Sequence, residues 1–240
     1  MGLFSRKKSI LESGLLKGAV DNHCHILYGL DDGVRTMEES LRILAYLEEN
    51  GMEEIWFTPH VMEDVPNTTG GLKARLGELE QAYTGGLRFH LAAEYMIDNL
   101  FEERLAARDL LTHGDDLVLV ETSTWAPPIE LWEILGEMMT AGYRPLIAHP
   151  ERYRYMEMRD YERLRKMGAL MQLNLPSIIG AYGDTARLKA EELLSKGMYA
   201  MVGSDCHKER ILHSWYSAPV LKKDILRRLE PLMKGETSLS

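Results

Sequence analysis

The run Ala19-Val20-Asp21-Asn22-His23-Cys24-His25-Ile26 decides how this chain is read. Its composition predicts a strand over 19–26, and strand alternation sends the imidazoles of His23 and His25 to one side and the Cys24 thiol to the other. Two imidazoles on one face can share a metal ion. Near the other end Gly203-Ser204-Asp205-Cys206-His207 repeats the spacing, offering a carboxylate and an imidazole just past a predicted strand at 199–202.

Further β-rich runs at 54–58, 88–94, 117–121, 145–148 and 170–175 alternate with amphipathic stretches, giving seven strand-then-helix units and a parallel sheet. The first helix is well marked. Thr36 caps it, Glu39 completes a capping box, Leu41, Leu44, Ala45 and Leu47 share a face, and Gly51 stops it. Other helices are expected over 72–83, 100–110, 129–141, 161–167, 187–195 and 220–229. Periodicity alone leaves an open doubly wound sheet and a closed barrel equally possible. The polar residues separate them: His25, His60, Glu94, Glu121, His149 and Asp205 each fall at or just past the carboxyl end of a different strand. For these to converge the strands must encircle them, as in a barrel with its site at the C-terminal face. An open sheet would gather its ligands near one switch point.

Glu94 and Glu121 offer carboxylates that can bridge two cations, and His60 and His149 offer further nitrogens. Imidazole and carboxylate without thiolate suit Mn, Fe or Zn. His90, His113 and His213 lie outside any such motif and read as ordinary surface or core residues. Cys24 and Cys206 read as small buried apolar groups. A cysteine-nucleophile phosphatase would carry an arginine six positions on, where this chain has Leu30 and Leu212.

A chain of 240 residues with 45% hydrophobic content can bury one substantial core, so a single barrel domain is expected over 18–240 behind a flexible segment at 1–17. The net charge of −9 argues against nucleic acid, which is held mainly by Lys and Arg. Two cysteines make no disulfide framework, which points to a reducing, cytoplasmic setting. No stretch reaches transmembrane length. Met1-Gly2-Leu3-Phe4-Ser5-Arg6-Lys7-Lys8 lacks the apolar run of a signal peptide, and Arg6 breaks the myristoylation pattern. Membrane contact is expected only through a partner, or weakly through the basic residues beside Leu3 and Phe4.

Taken together, Asp21-Asn22-His23-Cys24-His25, Gly29-Leu30-Asp31-Asp32-Gly33, Thr58-Pro59-His60, Ala93-Glu94, Val120-Glu121, His149-Pro150-Glu151-Arg152-Tyr153 and Gly203-Ser204-Asp205-Cys206-His207 resemble the PHP (polymerase and histidinol phosphatase) superfamily. The Asp-Asp-Gly and His-Pro-Glu-Arg-Tyr runs select, within it, the bacterial protein-tyrosine phosphatases of capsule and exopolysaccharide operons. The resemblance implies a distorted (β/α)7 TIM-like barrel holding three divalent metals, manganese foremost, with iron or zinc as alternatives. His23, His25, Glu94 and Asp205 would hold the first metal. Glu94 would bridge to a second completed by Glu121 and His149, and Asp32, His60 and His207 would hold a third. Arg152 and Arg210 match the family's phosphate-contacting arginines. The implied reaction is hydrolysis of phosphotyrosine by a metal-activated hydroxide, with the tail of a bacterial tyrosine autokinase as substrate. A small-molecule phosphatase such as histidinol phosphatase and a non-catalytic PHP interaction module are the two other readings.

Overall fold

A computed structural model describes residues 6–235. The strands are β1 (Ala19–Cys24), β2 (Met52–Phe57), β3 (His60–Val61), β4 (Arg88–Leu91), β5 (Glu94–Met96), β6 (Leu117–Glu121), β7 (Arg144–Ala148), β8 (Leu170–Asn174) and β9 (Met201–Gly203). Between and around them run α1 (Ile10–Ser13), α2 (Met37–Glu49), α3 (Thr69–Ala82), α4 (Asn99–Ala107), α5 (Leu131–Thr140), α6 (Met158–Met167), α7 (Leu175–Ile178), α8 (Gly183–Ser195), α9 (Glu209–Ser217) and α10 (Lys223–Met233).

Every named strand pair is parallel. Two of the seven expected strands are broken. The second splits at Thr58-Pro59, where proline has no N–H to donate, and the third splits at Ala92-Ala93. The strands therefore pair as β1-β2-β4 and as β3-β5-β6-β7-β8-β9, with the broken strands carrying the ring from one sheet to the other. The ring closes between its first and last strands. His25 N–H donates to Cys206 O at 3.0 Å and Asp205 N–H donates to His23 O at 2.8 Å, with Cys24 and Cys206 bridged in parallel. A distorted (β/α)7 barrel results, as the spread of the ligand-type residues implied.

Alternation sorts the strands into an inner and an outer face. Leu117 and Leu119 on β6, Leu146 and Ala148 on β7 and Met201 on β9 pack together, with Leu170 against them, as an apolar plug. On the other face Val118, Val120, Ile147, Leu173 and Val202 join the larger core beneath the helices. Burying each large aliphatic side chain contributes roughly 1.5–3 kcal/mol, so both layers favour this register over a one-residue slip. Following the inner face of β6 past Leu119, the next residue is Glu121. The plug is the floor on which the polar residues of the mouth rest.

Residues 8–17, expected to belong to a flexible segment, are tied into the fold. Ser9 and Glu12 form a reciprocal capping box around α1, Ile10 and Leu16 are fully buried, and the Lys8 and Leu221 backbones exchange bonds of 2.9 and 3.0 Å. Ile10, Leu15 and Leu16 need cover, and packing supplies it where polarity had suggested a solvated lead-in. Leu3 and Phe4 lie outside the described residues. Thr36 caps α2 as expected, but Glu39 does not turn back to complete a box. Its Oε1 accepts from Glu209 N–H at 3.3 Å instead and ties α2 to α9. Among the described residues no helix is long and apolar enough to cross a membrane.

Candidate metal centre

At the C-terminal mouth of the strands His23 Nε2, His25 Nε2 and Glu94 Oε2 stand 3.1–3.2 Å from one another. Asp205 Oδ1 faces the same two imidazoles at 3.7 and 3.5 Å. The other oxygen of Glu94 lies 2.9 Å from His149 Nε2, which is 3.7 Å from Glu121 Oε2. His60 Nδ1 is 3.2 Å from both Glu94 Oε2 and Glu121 Oε1. Across the mouth Asp32 Oδ1 lies 3.4 Å from His207 Nε2 and 3.7 Å from His60 Nε2. All nine ligand-type residues singled out in the sequence thus fall in one connected cluster. Its tightest triplets are His23–His25–Glu94, His60–Glu94–Glu121 and His25–His60–His207. Two of these regroup the residues: His60 approaches the glutamate pair from the side opposite His149, and His25 stands beside the pair that Asp32 faces.

The cluster is aimed by residues the sequence reading passed over. Asp31 Oδ2 lies 2.7 Å from His25 Nδ1 and accepts the His60 N–H at 2.9 Å. Gln172 Oε1, on the inner face of β8, lies 2.9 Å from His23 Nδ1. Each is placed to accept an Nδ1 proton, and in that tautomer Nε2 offers its lone pair to the cluster, the usual way a ligating histidine is oriented. Asn174 stands at the start of α7 without capping it through its side chain, and its Nδ2 instead donates to Asp205 Oδ2 at 2.7 Å, orienting that carboxylate. A side chain at Gly33 would bring its Cβ to 2.6 Å from His25 Cβ, so only glycine lets the Asp31–Asp32 loop fold onto that histidine. His149 and Asp205 both sit in left-handed backbone, at φ 34° and φ 50°. Such conformations cost about 1–3 kcal/mol each and are found where a side chain must be held in an unusual direction.

Three lone pairs converging at 3.1–3.2 Å repel one another unless something positive lies between them. That spacing fits the edge of an octahedron with bonds of about 2.1 Å, which is about 3 Å. Glu94 Oε2 and His60 Nδ1 are buried with no hydrogen-bond partner. The donor set therefore fits a divalent cation. Without one, the carboxylates call protons onto the rings. Burial opposes a charge on His23, yet Glu94 and Asp205 push it up to about 9. Burial likewise opposes His60, which Glu94 and Glu121 push up to about 10. Glu94, though fully buried, is held well below the carboxylate range by His23 and His60. Asp32, whose side chain is 77% exposed, is lowered to about 2, first by its hydrogen bond to His207.

Arg152, in the 3-10 turn at Pro150–Arg152, places Nη1 3.0 Å from Asp205 Oδ2 and its guanidinium 4.4 Å from the centre of the Tyr182 ring. Both line the metal pocket. Arg210 does not reach it. Lys208, Ile211 and Trp215 recur on the pocket side of α9, and Arg210, about 100° round the helix from Ile211, is exposed elsewhere. His90 pairs with Glu54 at 2.8 Å, His113 is buried against Trp56 and His213 packs on Tyr46, so all three stay outside the cluster. Both thiols are buried, and burial raises them well above the ordinary cysteine range.

Residues 19–217 match the sequence profile of the family described as capsular polysaccharide synthesis, CpsB/CapC. The chain belongs to the CpsB/CapC family. Among relatives, the tyrosine-protein phosphatase YwqE of Bacillus subtilis is 29% identical over 231 residues, covering 91% of this chain and 89% of its own. The tyrosine-protein phosphatase CpsB of Streptococcus pneumoniae is 28% identical over 203 residues, 78% of this chain and 82% of its own. In structure, the chain superposes at a TM-score of 0.73 on a protein from the crystallographic study of YwqE and CpsB, described as unique metal-dependent tyrosine phosphatases. That match has 26% identity and covers 90% of this chain and 94% of the other. A phosphotriesterase homology protein of Escherichia coli matches at a TM-score of 0.52 and 13% identity, over 88% of this chain and 91% of that one, and shows the fold alone. Membership of CpsB/CapC agrees with the likeness read from the Asp-Asp-Gly and His-Pro-Glu-Arg-Tyr runs.

Proposed function

We propose that this protein is a metal-dependent protein-tyrosine phosphatase of the CpsB/CapC type. The observation that carries the reading is the convergence of nine imidazole and carboxylate side chains at the barrel mouth, with Arg152 at their edge. His23, His25, Glu94 and Asp205 are assigned to one ion, Glu94, Glu121 and His149 to a second, and Asp32, His60 and His207 to a third. Manganese is the first choice for this mixed set, with iron or zinc as alternatives. Divalent ions there supply Lewis acidity toward phosphoryl oxygens and acidify water enough for it to act as nucleophile near neutral pH.

The chain's own groups do the rest. Asp31 and Gln172 hold two imidazoles in the ligating tautomer. Arg152 offers N–H donors to phosphoryl oxygens as charge builds on them, and Lys208 on the rim takes the place Arg210 was expected to fill. Tyr182 and Trp215 wall the pocket where an aryl group would lie. A phenolate leaving group, with a parent pKa of about 10, needs little protonation, so no dedicated acid is required at the leaving oxygen.

The physiological substrate in this reading is a phosphotyrosine in a flexible tail, that of a bacterial tyrosine kinase in capsule synthesis, met in the cytoplasm. Histidinol phosphate and single-stranded DNA should be poor substrates, the latter because a chain of net charge −9 repels a polyanion beyond the site itself. The test is a rate comparison on manganese-loaded protein among a phosphotyrosine peptide, a phosphoserine peptide, histidinol phosphate and single-stranded DNA. Fastest turnover of the first is expected. Faster turnover of either of the last two would overturn the assignment.

A further inference from the structure

Arg152 and Tyr182 line the metal pocket on one side and a second hollow, of about 450 Å³, on the other. Arg154 and Lys189 contribute to the wall of this second hollow. Thr124, in the loop that follows β6, also lines it, and further along that loop Trp125 is 68% and Ile129 99% exposed. The Arg154 guanidinium lies 3.7 Å over the Trp125 ring, and Arg154 N–H donates to Thr124 O at 2.9 Å, fixing the loop to the segment after His149.

The acids nearby are already engaged. Glu151 is buried, accepting from Asn174 N–H and Tyr199 OH, and Asp184 pairs with Arg187. Among the described residues no carboxylate lies in ion-pair range of Arg154. Lys189 spends its donors on the carbonyls of Tyr153 and Met156 but still adds its charge to the hollow. In a chain of net charge −9, an unmatched arginine stacked on an exposed tryptophan beside the reaction site marks a place where something anionic and partly apolar is received.

We propose that the hollow walled by Arg154, together with the Trp125 ring stacked on that arginine, is a subsite for acidic residues flanking the phosphotyrosine of a peptide substrate. This rests on the phosphatase reading and adds the sequence context of the substrate to it. The shared Arg152–Tyr182 wall makes the two hollows immediate neighbours. At about 3.3 Å per residue an extended peptide with its phosphate on the metals brings the next one to three residues over Arg154. A glutamate there meets the guanidinium, and its methylenes or a neighbouring apolar residue meet Trp125.

The experiment is a pair of fluorescent peptides carrying a non-hydrolysable phosphonomethyl-phenylalanine, one flanked by glutamates and the other by lysines. Their dissociation constants are read by anisotropy at two salt concentrations on the metal-loaded protein. Turnover of para-nitrophenyl phosphate is followed separately. The acidic peptide should bind about tenfold more tightly, a preference that shrinks with salt and disappears in Arg154→Glu. Arg154→Gln should halve it or more, and serves if the charge reversal does not fold. Trp125→Ala should weaken both peptides. Equal affinities in the unsubstituted protein, or a preference that survives Arg154→Glu, would overturn the subsite while leaving the phosphatase reading intact. Absence of aryl phosphate turnover with the preference intact would instead remove the phosphatase reading.

Discussion

Arg152 Nη1 stands 3.0 Å from Asp205 Oδ2, the oxygen turned away from the imidazoles, while Oδ1 looks into the cluster. One carboxylate thus faces the imidazole cluster with one atom and holds Arg152 with the other. Asn174 donates to the same Oδ2 at 2.7 Å, so Asp205 keeps a donor when the arginine is lost. Arg152→Ala should therefore lower phosphopeptide turnover by roughly ten- to a thousandfold, the range for one charged transition-state contact. Elemental analysis of the same variant should find the metals still in place. A variant that empties of metal would reassign Arg152 to holding the site together.

Glu94 touches more of the cluster than any other side chain, with Oε2 3.2 Å from three imidazoles and Oε1 2.9 Å from a fourth. Glu94→Gln should lose at least one equivalent of metal and nearly all activity. His90→Ala, whose ring pairs with Glu54 outside the cluster, should do neither. Full metal loading with near-normal turnover in Glu94→Gln would exclude a shared ligand.

The thiols are predicted to be bystanders. Cys24 and Cys206 are fully buried at the β1–β9 junction, and burial keeps them protonated. Cys24→Ser and Cys206→Ser should keep substantial turnover, with modest losses of stability from a hydroxyl in an apolar pocket. Chelation should abolish activity in every variant. A folded, metal-replete Cys24→Ser protein without catalysis would contradict the metal mechanism.

Protons and metals compete for the same nitrogens. In the metal-free protein His23 and His60 are raised to about 9 and about 10 despite burial, chiefly by Glu94. The stability this confers is complete below the unfolded value of about 6.5 and is lost as pH rises through 9 to 10. The metal-free melting temperature should fall over that interval. Metal affinity should move the other way, because ligation needs the neutral rings. Calorimetric loading at pH 7.5 in buffers of different protonation enthalpy should show proton release. No release, with a flat melting temperature from pH 7 to 10, would contradict this proton competition.

Much of this arrangement was readable in the chain itself. His23, His25, Glu94, Glu121 and Asp205 declare themselves because each falls at or near the carboxyl end of an expected strand, as Glu121 does after Leu117 and Leu119 on β6. What stayed hidden depends on partners distant in sequence. Asp31 looked equivalent to Asp32 until the loop folded over Gly33 and buried one of the two against His25. Gln172 carried no signal beyond its place on an inner face. Arg210 was matched to the family's second arginine by resemblance, but α9 turns it away from the pocket. The break at Thr58-Pro59 had a visible cause, whereas that at Ala92-Ala93 did not. The short helix α1 was too brief for periodicity to register.

The seam between β1 and β9 would give bound metals an architectural duty. His23 and His25 belong to or directly follow the first strand made and Asp205 and His207 follow the last, so ions bound among them would fasten the two ends of the ring across the 179 residues between His25 and Asp205. Such a clasp stabilises chiefly by removing freedom from the open chain, by an amount that grows only slowly with loop length. It also sets an order of events during synthesis. A nascent chain that has already folded β1 through β8 still lacks Asp205 and His207, two of the nine ligand-type side chains, and on this assignment hydrolysis could not begin until the final strand is delivered.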